Sequence, residues 1–147
     1  MVKWFYESKL AKWLTPLGTC HTITLGCFIL TERAEKDVTQ RLILHETTHG
    51  HQFFELLCLG IVIFVVLACL GCSWWWLLPC SMLFYVWYLL EWFVRFVVAL
   101  CDCVKNEDWK IAYKNTVFEE EAIDVSENGA KHKPFGFVRY YWVQVNK

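Results

Sequence analysis

The sequence predicts a mainly α membrane protein with a short β strand or hairpin, its helices arranged as a two-helix transmembrane hairpin. Three observations lead there. Hydrophobic residues make up 56% of the 147-residue chain, which holds nine Trp, eleven Phe and six Tyr. No side chain from Leu56 to Leu90 is charged. Immediately before that run, His45, Glu46, His49, His51 and Glu55 crowd into a segment that otherwise reads as one helix. A bilayer core of about 30 Å takes roughly 20 apolar residues of helix. The uncharged run is too long for one span and slightly short for two, and extending it past Glu91 and Arg95 to Cys101 gives room for both. Soluble helices seldom go so far without a charge.

Length sets one domain over residues 1–147. Its first part, 1–20, reads as an amphipathic helix for the membrane surface, with Trp4, Phe5, Leu10, Trp13 and Leu14 beside Lys3, Lys9 and Lys12. Lysines interrupt it throughout, so it does not read as a signal peptide. Residues 21–31 follow as a strand, because Thr22–Leu30 is rich in Thr, Ile, Leu and Phe. A helix is expected over 37–72, entering the bilayer near Leu56. The turn belongs at "GCSWWWLLP", where Gly, Ser and Pro break the run and three tryptophans suit an interfacial belt. A second membrane helix is expected over 75–104. Within it Glu91 and Arg95 stand at i and i+4, the spacing of an intrahelical ion pair that lowers the cost of charge near lipid. A helical region over 107–128 carries "VFEEEAIDVSENG" and ends at Gly129. The segment 129–147 interleaves basic and aromatic residues, as a membrane-surface stretch does.

His45, Glu46, Thr47, Thr48 and His49 form HExxH. On a helix, residues four apart are about 40 degrees and one turn apart, so both imidazoles can reach one Zn2+ ion. Glu46, on the flank of that face, can hold a water beside the metal and take its proton. His51 lies about 200 degrees round the helix from His49 and cannot share a metal with both motif histidines while the helix runs unbroken. Gln52 continues the His45–His49 stripe and is a candidate to orient a ligand from behind. Catalytic zinc takes three protein ligands plus water, so a third ligand is needed, and the carboxylates of Val117–Gly129 are the downstream candidates. An anionic transition state also needs a donor besides the metal, for which His132, Tyr113, Arg139 and Tyr140 are available.

These residues resemble a family. HExxH followed downstream by ExxA, here Glu119 to Ala122, is similar to the pattern of integral-membrane gluzincins, among them the CaaX prenyl proteases and the sensor peptidases of beta-lactam resistance. The resemblance implies a minimal zincin-like catalytic unit, with Glu119 as the third zinc ligand and Glu46 as the catalytic base. Asp often follows the Ala in those families; here Ile123 does, and Asp124 stands one place later. Residues His21–His49 resemble the edge strand, turn and active-site helix of these peptidases, which implies that Thr22, Thr24 and Leu25 pair with extended substrate. A closer likeness is to small bacterial membrane proteins with HExxHxxQ, then "YLLEWFVR", then "AYKNTVFEEEA".

The expected function is therefore a membrane-bound zinc metallopeptidase acting near the membrane interface on a peptide or membrane-protein substrate. The partners are that substrate and the lipid bilayer. A net charge of −1 gives no sign of nucleic-acid binding. Lys and Arg flank the hairpin on both sides and are absent from its turn, which places the active site on the cytoplasmic side. The alternative is a zinc-binding adaptor or sensor, proteolytically silent on the same scaffold. A desaturase-like di-iron site resembles eight or more histidines, and the chain has five.

Overall fold

The computed structural model describes residues 2–14, 21–101 and 116–145. The chain is mainly helical with one small sheet, and it divides into two compact units, Met1–Phe54 with Ala122–Lys133 and Glu55–Glu121 with Pro134–Lys147.

The first unit holds a three-stranded sheet of order β1-β3-β2, formed by β1 (Lys3–Phe5), β2 (Thr22–Leu25) and β3 (Phe28–Thr31). Strand β1 runs parallel to β3, pairing Trp4 with Ile29, and β2 runs antiparallel, pairing Thr24 with Ile29. The N-terminal structure differs from the sequence expectation in two ways. Trp4 and Phe5 belong to a strand, and the N-terminal helix is only α1, Lys9–Leu14, whose start is capped by the Ser8 hydroxyl accepting from Ala11 N–H. The expected single edge strand is a hairpin, because Gly26 takes φ +62 at the first position of a two-residue loop. That is the conformation a type II′ turn asks of glycine. Strand β2 is thus an edge, and β3, which buries Ile29, Leu30 and Thr31, is central.

A 3-10 turn at Glu35–Asp37 leads to α2, Gln40–Cys69, with the Thr39 hydroxyl accepting from Leu42 N–H as its N-cap. This helix is long and apolar enough to cross a membrane by length and composition. Its first half belongs to the first unit and its second half to the second.

In the second unit the expected continuous helix over 75–104 is broken. A 3-10 turn at Trp74–Trp76 precedes α3 (Leu77–Ser81) and α4 (Leu83–Cys101), and the two parts meet at a bend of 63°. Pro79 lacks an N–H and its ring excludes the carbonyl four residues back, so the tryptophans wind as a tighter turn. The backbone then leaves helical angles at Met82, with φ −99 and ψ 18. Taken together, the bent pair passes the same length and composition test as α2. Large apolar side chains on these helices face outward, among them Ile61, Val62, Val66, Trp75, Leu89 and Val94, each at least 49% exposed. The buried interior is aromatic instead. Phe118 packs on Phe84, Tyr88, Trp87 and Phe137, with the Phe118 and Phe137 ring centroids 4.7 Å apart.

Gly60 of α2 meets the bend. A Cβ on it would lie 1.9 Å from the Cys80 carbonyl oxygen and 2.8 Å from its carbon. Both neighbours are backbone and cannot rotate away. Gly60→Ala is expected to destabilise the fold by about 3 kcal/mol, the upper part of the usual overpacking range. Thermal unfolding in detergent, wild type beside variant, measures it, and an unchanged midpoint would refute this packing.

Two shorter helices complete the described residues. The first, α5 (Val117–Glu127), is shorter than the expected 107–128 region, whose residues 107–115 lie outside the described ones. It ends where Gly129 turns to φ +68 and the Ala130 N–H folds back on the Asp124 carbonyl. The last, α6 (Val138–Val145), lies within the segment read as membrane-surface sequence.

Candidate metal centre

The uninterrupted α2 fixes the relation of the two motif histidines. Their rings sit 4.8 Å apart, edge to face, with the two Nε2 atoms at 3.3 Å. Two nitrogens bonded at about 2.0–2.1 Å to one tetrahedral zinc lie about 3.3–3.4 Å apart, so the pair already has the separation such an ion imposes. Gln52, fully buried one turn on, places Oε1 2.9 Å from His49 Nδ1. An amide oxygen can only accept, so His49 donates from Nδ1 and keeps its Nε2 lone pair for a metal. His45, His49 and Glu119 are the single group of three possible metal ligands among the described residues. His49 and Glu119 are buried and His45 is half-buried. The donor set, two imidazoles and a carboxylate, fits Zn2+ and other divalent transition ions alike.

Glu46 is buried at 8% exposure, and its Oε2 accepts a 2.6 Å bond from the Thr24 hydroxyl of β2. Thr24, read as a substrate-pairing residue, spends its hydroxyl on the Glu46 carboxylate. The Thr22 hydroxyl goes to Thr31 Oγ1 at 2.9 Å, and Leu25 closes the hairpin against Phe28. Thr48, inside the motif, turns its hydroxyl back onto the Leu44 carbonyl.

Glu119 stands in the first turn of α5, where a carboxylate is favoured by the helix dipole. Two residues of α4 reach this turn. Tyr88 donates its hydroxyl to Glu119 Oε1 at 2.9 Å, and Glu91 Oε1 accepts the Val117 N–H at 2.9 Å, capping the helix from outside. Glu91 also accepts two bonds from Arg95 on the same oxygen and one from the Tyr141 hydroxyl on the other. The pair read as intrahelical thus anchors α5 and α6 as well. Burial, more than the nearby Glu91 charge, raises the Tyr141 hydroxyl from its ordinary 10.0 to about 12, with a bond from Trp87 pulling the other way.

The sign of the Tyr141 effect is fixed by that rise. The proton is held more tightly in the fold, so its contribution is whole below pH 10.0 and is lost as pH climbs toward about 12. Between those values the wild type should lose stability more steeply than Tyr141→Phe. Equal slopes in unfolding measurements across that window would contradict the burial of this hydroxyl.

His132, considered as a transition-state donor, stacks on His51 at 5.0 Å, and His51 is the exposed histidine that cannot join His49 on one metal. Asp124 accepts from the Asn128 side chain at the C-terminal end of α5. Arg139 is exposed, Tyr140 is half-buried, and Tyr113 lies outside the described residues. The residue that sequence reasoning missed is Tyr88. Its one available signal was a phenol in an apolar run three positions before Glu91, since a buried Tyr hydroxyl usually finds a partner.

Comparison with protein-family models, curated proteins and solved structures finds no match to this chain.

Proposed function

We propose that this protein is a membrane-bound zinc metallopeptidase of the gluzincin type, hydrolysing peptide bonds near the membrane interface. The observation that carries the reading is the His45–His49–Glu119 group of possible metal ligands, with the Glu46 carboxylate one residue from the first of them. His45, His49 and Glu119 would hold the ion, and Gln52 keeps His49 in the ligating tautomer. When bound, zinc supplies Lewis-acid polarisation of the scissile carbonyl and acidifies a water. Glu46, held in orientation by Thr24, would take the proton of the attacking water and return it to the leaving amine. Edge strand β2 offers backbone groups to an extended peptide. The outward apolar faces of α2, α3 and α4 support lipid as their solvent, and the flanking Lys and Arg support a cytoplasmic active site.

The test is a cleavage assay with full-length, zinc-loaded protein in liposomes, given a pool of unstructured and membrane-inserted peptides and read by mass spectrometry. Cleavage that stops on chelation and returns with zinc is the expected result. Stoichiometric zinc without cleavage of any member would instead favour a silent adaptor.

A further inference from the structure

We infer that Tyr88 is a positioning residue that makes Glu119 a one-oxygen ligand and so sets the affinity and coordination number of the metal centre. The inference rests on the proposed metal site and deepens it. A carboxylate can bind a cation through one oxygen or both, and the choice separates four-coordinate from larger coordination spheres. Tyr88 donates to Glu119 Oε1 at 2.9 Å, a phenol acting on one oxygen only. The bond stabilises the charge on Oε1, so the two carboxylate oxygens are inequivalent toward the ion.

The phenol itself is well fixed. Its ring stacks on Phe118 at 5.9 Å and 28°, and Phe118 is the residue directly before Glu119. Phe84, one turn earlier on α4, packs against both rings. Three residues on from Tyr88, Glu91 holds the Val117 N–H, so α4 grips the first turn of α5 at its backbone and at its ligand side chain together. Ring packing and hydroxyl bonding are separable here. Tyr88→Phe keeps the stack and deletes only the donor.

The experiment uses the full chain in detergent, stripped of metal and titrated with zinc and with cobalt(II). Relative to wild type, Tyr88→Phe should bind zinc about 10- to 100-fold more weakly, the usual cost of losing a partner that orients a ligand. Its cobalt spectrum should shift from the intense visible bands of four-coordination toward the weaker ones of higher coordination, while the metal-free protein still unfolds in one cooperative transition. Unchanged affinity with an unchanged cobalt spectrum overturns the inference. If the variant does not fold, X-ray absorption on zinc-loaded wild type decides it: a single carboxylate oxygen at bonding distance supports it, and two overturn it. Wild type that binds neither metal overturns the proposed site itself, an outcome distinct from a variant that matches wild type.

Discussion

Glu46→Gln is expected to lower peptide cleavage by about 10²- to 10⁴-fold, the range general-base catalysis supplies, while zinc stays near one per chain. The amide has nearly the shape of the carboxylate and can still accept from Thr24, so β2 and the first half of α2 should keep their packing. What it cannot do is hold a proton taken from water. The two readouts must therefore part company, activity falling and metal content holding. If both fell together, Glu46 would be maintaining the site's structure. If neither fell, the base would be another group.

The largest expected loss of stability comes from Glu91→Ala. This carboxylate is buried at 8% exposure and accepts from Arg95, from the Val117 backbone and from Tyr141, so one substitution removes an acceptor from three elements. Breaking a buried ion pair by deleting one partner costs about 3–5 kcal/mol, because the remaining charge stays desolvated. Arg95, whose side chain is 23% exposed, is that remaining charge. Unfolding of the variant in detergent should show the loss, and zinc affinity should weaken with it, since α5 carries Glu119. Glu91→Gln, which keeps an acceptor for Val117, should lose less. A variant as stable as wild type would mean that the network only decorates a helix held by Phe118 packing.

Much of the helical frame was legible because its determinants are local. The i and i+4 spacing of His45 and His49 dictates that they face each other on any unbroken helix, and an unbroken α2 follows from a run with no proline and with glycines that tolerate helical angles. The choice of Glu119 is not a local property. Residue types alone left several carboxylates open, and only the resemblance to ExxA singled it out. Strand β1 was hidden because Lys3, Trp4 and Phe5 satisfy an amphipathic-helix pattern equally well; their strand state depends on pairing with β3, more than twenty residues on. The hairpin could have been read from Gly26 inside an otherwise strand-like run. The bend at Met82 depends on Pro79 and on the close approach of Gly60 to Cys80, which no pattern of hydrophobicity encodes. Thr24 and Tyr88 were obscure for the same reason, since each owes its role to a partner on another element.

The most direct test of the central claim is metal content by inductively coupled plasma mass spectrometry on gently purified, full-length protein. Wild type should carry about one zinc per chain, as expected for a site of three protein ligands. Glu119→Ala should carry little. Zinc-free wild type after purification without chelators would contradict the account outright, and zinc undiminished in Glu119→Ala would show that another residue completes the site.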